Sequence, residues 1–131
     1  MIKTKDIKQG LMIKASTHEI YEALMDSKKH STFTGDTAKI SRKVGGKFTT
    51  FGGYSSGKNL ELVKDKKIVQ TWRASDWVQG HFSQVTFLLK PAKGGTKIIF
   101  SHKGIPLSDA ANIAEGWKTY YWEPLKKMLE K

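Results

Sequence analysis

The chain has 131 residues, of which 38% are hydrophobic and 27% charged, so it is one domain able to bury a core and is not intrinsically disordered. It contains no cysteine, which excludes disulfides, thiolate metal sites and cysteine nucleophiles, and no apolar run approaches the roughly 20 residues of a membrane span. Lysine and arginine number 23 against 12 acidic residues, a net charge of +11, yet only Arg42 and Arg73 are arginine and the lysines are scattered from Lys3 to Lys131. Scattered lysine describes a solvated basic surface better than a face that forks onto phosphates and base edges, so nucleic acid is not expected as a partner. Met1 to Asp6 carries no apolar segment behind its charges, so no signal peptide is expected and a cytoplasmic protein is the default.

The first strand is predicted over about Asp6 to Lys14, where Ile7, Leu11 and Ile13 share one face at period two. Ser16-Thr17-His18-Glu19 forms a capping box and opens a helix with Ile20, Tyr21, Leu24 and Met25, ending near Asp26-Ser27. A short helical turn carrying Phe33 follows and stops at Gly35. Ala38, Ile40 and Val44 then alternate, Gly45-Gly46 makes a tight hairpin turn, and Phe48 and Phe51 lie on the next strand, which breaks at Gly52-Gly53. Leu60 and Leu62 precede a charged turn at Lys64-Asp65-Lys66, and Ile68, Gln70 and Trp72 alternate after it. Val85, Phe87 and Leu89 end at Pro91, and Gly94-Gly95 turns the chain into Ile98 and Phe100. Short strands joined by such turns predict a meandering antiparallel sheet.

The last segment reads as a long helix with Ser108 as N-cap and Asp109 at the positive end of the dipole. Ile113, Ala114, Trp117, Tyr120, Tyr121, Leu125 and Met128 form one apolar stripe, Trp122 falls on the far side, and Lys126, Lys127 and Lys131 suit the negative end. Pro124 removes one hydrogen bond inside this helix and is expected to bend it. The plan is α+β: a curved antiparallel sheet of about seven strands around a long C-terminal helix, with two short helices after the first strand. Such an arrangement leaves room for an apolar cavity.

The residues carry no catalytic constellation. His18, His30, His81 and His102 show no metal-ligand spacing and have no accompanying carboxylate motif, so no metal is expected. Ser101 and His102 are neighbours on a strand and point to opposite faces, which excludes a nucleophile–base pair between them. Glu61 and Asp76 show no pairing that would support glycosidase-like chemistry. His102 follows Phe100 at period two, and reads as a satisfied buried histidine or as a polar anchor inside the cavity.

The run Gly45-Gly46-Lys47-Phe48, then Phe51-Gly52-Gly53 and Gly57, resembles the glycine-rich hairpins of the homologues of the heat-shock-protein-90 ATPase activator, the Aha-type family. Ile68-Val69-Gln70-Thr71-Trp72-Arg73, Gly80-His81-Phe82, Gly104-Ile105-Pro106 and Gly116-Trp117-Lys118-Thr119-Tyr120-Tyr121 resemble later segments of that family in the same order, from about Ala15 to Leu129. The family lies in the START-like (SRPBCC, Bet v 1-like) superfamily, so the resemblance implies the helix-grip fold. It also implies two functional traditions: a domain that helps a chaperone close and hydrolyse ATP, or a carrier of a small apolar ligand, with a polyketide-cyclase-like enzyme as a third. The activator carries a separate N-terminal domain that makes its main chaperone contact, and this chain starts almost at its first strand.

These readings name two candidate sites. The cavity is expected to be lined by Phe48, Trp72, Phe87, Phe100, His102, Trp117, Tyr120 and Tyr121 and to take an apolar ligand without a cofactor. A partner surface is expected at Lys64, Lys66 and Lys67, whose charge would steer an acidic chaperone face, with Trp77 as an exposed anchor. Nothing in the sequence calls for more than a monomer.

Overall fold

The computed structural model describes residues 2–130; Met1 and Lys131 lie outside the described residues. Strand β1 (Thr4–Ile13) alternates as its sequence requires, with Ile7, Gln9, Leu11 and Ile13 turned inward. The capping box forms: the Ser16 hydroxyl accepts from the Glu19 amide at 3.0 Å, and the Glu19 carboxylate accepts from the Ser16 amide at 3.2 Å. It starts α1 (Thr17–Met25), which buries Ile20, Tyr21, Ala23, Leu24 and Met25. Asp26 ends α1 and at once caps α2 (Ser27–Thr34), accepting from the Lys29 amide at 2.9 Å. Gly35, at φ 73°, closes α2 in the left-handed conformation that glycine adopts without strain.

The remaining strands are β2 (Lys39–Ile40), β3 (Lys47–Thr50), β4 (Ser55–Val63), β5 (Lys67–Ala74), β6 (Ser83–Ala92) and β7 (Gly95–Pro106). All pairs are antiparallel and the sheet order is β1-β7-β6-β5-β4-β3-β2. The helical pair α1–α2 thus carries the chain from one edge of the sheet to the other. Two expectations near the β2 edge need correction. The Gly45-Gly46 turn is not a tight hairpin: residues 41–46 form a wider loop held by Asn59, whose side-chain amide donates to the Ser41 and Lys43 carbonyls at 2.8 and 2.9 Å. Val44 is therefore exposed instead of continuing a strand. Phe51 also leaves the strand; it opens a tight turn at φ 51° that continues through Gly52 and Gly53.

The C-terminal helix lies across the concave face and has three parts: α3 (Ala110–Gly116), a π-helical turn (Trp117–Trp122) and α4 (Glu123–Leu129). Pro124 explains the middle part. It has no N–H, and its ring crowds the carbonyl four residues back, so a regular α-turn cannot be kept there. The helix widens, with the Glu123 amide bonding the Lys118 carbonyl five residues earlier. At about 100° per residue a plain α-helix would put Trp122 about 140° away from Trp117. The wider turn brings it back, so Trp122 is buried and stacks near Trp117, with ring centroids 5.9 Å apart and an interplanar angle of 27°. The same rotation pushes Tyr120 outward, to 65% exposure. Gln9 of β1 spans the turn: its amide donates to the Ala114 carbonyl at 2.9 Å, and its carbonyl accepts from the Trp122 indole at 2.7 Å. Ser108 does not cap the helix as expected; a 3-10 turn over Leu107–Asp109 leads into α3, whose N-cap position is held by Asp109 with no side-chain cap bond.

Gly57 of β4 marks the tightest backbone approach beside the concave face. A Cβ there would sit 1.8 Å from the Thr71 carbonyl oxygen and 2.9 Å from the Phe48 ring. Gln9→Leu leaves the Trp122 indole N–H without its acceptor and should lower unfolding stability by about 1–3 kcal/mol in urea titrations. Gly57→Ala overpacks the β4–β5 pair and should lower it by about 1–3 kcal/mol, with the loss read at the same urea midpoint assay.

Candidate functional site

Between the sheet, α2 and the C-terminal helix lies a cavity of about 530 Å³. Its floor is Phe48, Ile68, Trp72 and Phe87, which stand at inward positions of neighbouring strands. Its roof is Ile113, Trp117 and Tyr121, and its far wall is Leu24 and His30. Tyr54, Phe51, Asp36 and the exposed Tyr120 stand around its mouth. Phe51 holds a left-handed backbone there, at a cost of about 1–3 kcal/mol for a residue with a side chain.

Of the residues expected at the cavity, Phe48, Trp72, Phe87, Trp117, Tyr120 and Tyr121 line it, whereas Phe100 and His102 do not. Both of the latter are fully buried behind the Trp117 indole, which covers Phe100 at a centroid distance of 4.5 Å. His102 is satisfied by a one-way chain. The Trp117 indole N–H donates to His102 Nδ1 at 3.0 Å, so the imidazole proton sits on Nε2. Nε2 meets Ser83 Oγ at 2.6 Å, and the Ser83 hydroxyl donates to the Trp72 carbonyl at 2.9 Å. Ser83 and His102 thus touch, a pair the local sequence did not disclose because they come from two neighbouring strands, β6 and β7. The direction of the chain prevents nucleophile activation: the nitrogen facing Ser83 donates, and the basic lone pair is occupied by an indole. Burial pushes the His102 pKa down to about 3.

Among the lining residues that sequence reasoning left out of the cavity are His30, Thr50 and Gln70. Gln70 stands two residues from Ile68 and from Trp72, and Thr50 two from Phe48, so period two already pointed them inward. His30 sits one turn before Phe33 on α2, and both are buried. Its Nδ1 faces the Leu24 carbonyl at 3.2 Å, its ring lies 4.8 Å from Phe33 and 5.2 Å from Tyr121, and burial lowers its pKa to about 4. Burial also raises the pKa of Tyr121, which keeps its hydroxyl protonated.

The partner surface also changes. Trp77 is buried, with 8% exposure, so it is not an exposed anchor. Its indole N–H donates to the Asp109 carboxylate at 2.8 Å, its carbonyl accepts from Arg73 at 2.9 Å, and its ring packs edge-on against Trp72 at 5.3 Å. This tie fastens the β5–β6 loop to the start of the C-terminal helix through the carboxylate at its N-cap position. The exposed apolar residues of that loop are Val78 and Phe82. Lys64 and Lys66 are exposed at the β4–β5 turn, while Lys67 is half-buried and pairs with Glu61 at 3.2 Å. Among the described residues no helix is long and apolar enough to cross a membrane, and no group of three or more His, Asp or Glu is placed to hold a metal.

His30 and His102 are neutral in the folded protein and titrate near the ordinary 6.5 once unfolded. The unfolded chain therefore binds more protons below pH 6.5, and stability should fall as pH drops from about 6.5 toward 4, by up to about 1.4 kcal/mol per pH unit for each histidine. Urea unfolding across that range checks the slope, and His30→Phe should remove about one proton's share of it.

Residues 14–130 match the family model described as Activator of Hsp90 ATPase homolog 1-like protein. The human activator of 90 kDa heat shock protein ATPase homolog 1 is 32% identical over 112 residues, covering 86% of this chain and 33% of its own length. An uncharacterised protein of Schizosaccharomyces pombe is 30% identical over 129 residues, covering 98% of this chain and 38% of its own. This chain therefore spans about a third of the length of these curated relatives. The crystal structure of an HSP90 activator from Plasmodium falciparum superposes with a TM-score of 0.90 at 25% identity, covering 95% of this chain and 96% of that one. The seven-stranded sheet closed by a C-terminal helix is the helix-grip fold of the START-like superfamily. The chain belongs to the family of Activator of Hsp90 ATPase homolog 1-like proteins.

Proposed function

We propose that the domain is a non-catalytic, co-chaperone-like modulator of an Hsp90-type chaperone in the cytoplasm. The observation that carries this reading is the family match over residues 14–130, supported by a relative whose name is an ATPase activator. A modulator of this kind works by differential affinity: it binds the closed, ATPase-competent chaperone more tightly than the open one and shifts the population toward it. Net charge of +11 speeds encounter with an acidic face, and the exposed Lys64 and Lys66 project from the sheet's β4–β5 turn into solvent. A second reading, a carrier or sensor of a small apolar molecule, is favoured by the cavity itself, whose volume lies within the range of ligand pockets.

Amide NMR titration of labelled protein with the chaperone from the same source tests the first reading. Shifts should be confined to one surface and fade with added salt. Lys64→Glu with Lys66→Glu and Lys67→Glu should weaken binding about tenfold at low salt, mostly through the association rate. Unchanged binding in the triple variant would remove the lysine face, and no shift at high chaperone concentration would remove the reading.

A further inference from the structure

Gln70 is a polar side chain in the floor of the cavity. It stands at an inward position of β5 between Ile68 and Trp72, all three line the cavity, and it is 8% exposed. Its orientation is set from outside the cavity. Asn59, its partner across β4, gives its side-chain amide protons to the Ser41 and Lys43 carbonyls, so Asn59 Oδ1 is the end left to face Gln70. Gln70 answers with Nε2, which donates to that oxygen at 3.0 Å. A flipped Gln70 would set two carbonyl oxygens against each other. The free end of Gln70 is therefore Oε1, which accepts no hydrogen bond among the described residues. Nor is it sealed in. Among the described buried side-chain nitrogens and oxygens, His30 Nε2 alone is both unpartnered and shut off. Strands β4 and β6 flank Gln70 on either side, so the accessible surface of Oε1 opens onto the cavity.

We propose that the cavity holds a neutral, apolar small molecule carrying one hydrogen-bond donor, an O–H or N–H, seated with that donor on Gln70 Oε1. The proposal rests on the carrier reading and adds the ligand's class to it. An amide oxygen can only accept, and Asn59 keeps it from turning, so the ligand's group must donate. A carboxylate has no proton to give and would be buried with no cation beside it, since no lysine or arginine lines the cavity among the described residues. An ammonium would donate but lose its hydration, and the one carboxylate of the lining, Asp36, is exposed at the mouth. A plain hydrocarbon fills the space and leaves the oxygen unpaired, which is the costlier arrangement for a buried polar group. The basic surface and the neutral interior thus select different molecules.

The test uses three probes on one bicyclic frame: indole, which presents an N–H; benzofuran, which presents an oxygen at the same place; and indole-2-carboxylate, which adds a charge. Binding is followed by the tryptophan N–H signals of labelled protein, because Trp72 and Trp117 line the cavity whereas Trp77 and Trp122 do not. The expected result is that indole binds about tenfold more tightly than benzofuran and that indole-2-carboxylate binds more weakly than either. The Gln70 side-chain amide signals should shift with indole and stay in place with benzofuran. Gln70→Leu should bring the two neutral probes to equal affinity while both still bind. If that variant does not fold, the order of the probes and the Gln70 signals of the native protein still decide. Equal affinities for indole and benzofuran in the native protein, or a preference for indole that survives Gln70→Leu, would overturn the Gln70 anchor while leaving the carrier reading standing. Tightest binding of indole-2-carboxylate would overturn the neutral class, and no response to any probe would overturn both the anchor and the carrier reading.

Discussion

Pro124 has no proton to give to the helix it sits in, and the chain accommodates this with a single wide turn over Trp117–Trp122. Much of the domain's interior depends on that turn. It brings Trp122 under the helix, where its ring meets Phe100 at 5.2 Å and Phe87 at 6.0 Å, and it swings Tyr120 to the mouth of the cavity. It also puts the Trp122 indole within reach of Gln9, so a polar residue on the first strand ties down the last helix. Trp117, at the start of the turn, donates to His102 and separates the packed core from the open cavity.

The elements that were legible in the sequence are those whose signals are local. The capping box at Ser16, the Gly35 stop, and the period-two faces of Ile68-Gln70-Trp72 and Val85-Phe87-Leu89 each depend on residues a few positions apart. What was not legible depends on distant partners. The loop 41–46 is shaped by Asn59, and Trp77 is buried by Asp109, 32 residues away. Trp122 could not be placed by a 100° helical wheel, because the wheel assumes the regular turn that Pro124 forbids. The cavity was legible in outline, since the inward strand positions and the Trp117 and Tyr121 face follow from periodicity. Its depth was not: helical spacing cannot tell that Phe100 and His102 stand behind an indole instead of facing open space.

Charge is distributed in the opposite way to apolar surface. Among the described residues lysines occupy turns, outward strand positions and outer helix faces, where water solvates them and an acidic partner can meet them, while the interior keeps two histidines neutral and a tyrosine protonated by burial. A change of charge on the outside therefore leaves the inner hydrogen-bond chain from Trp117 to Trp72 untouched. The two faces of the domain can vary independently.

The pairing of β1 with β7 has a consequence for how the chain is made. Thr4 to Ile13 find their partners at Thr96 to Pro106, so the first strand of this domain to be synthesised waits for the domain's last. Until then β1 has no sheet to join, and α1 and α2 have little to rest on. Closing so long a segment is slow because its entropy must be lost before any contact across it forms. During synthesis the domain passes through a stage in which most of its apolar strands exist and the sheet is incomplete, a state prone to association with other chains. A domain of a chaperone-activator family is thus, while being made, the kind of chain that chaperones hold.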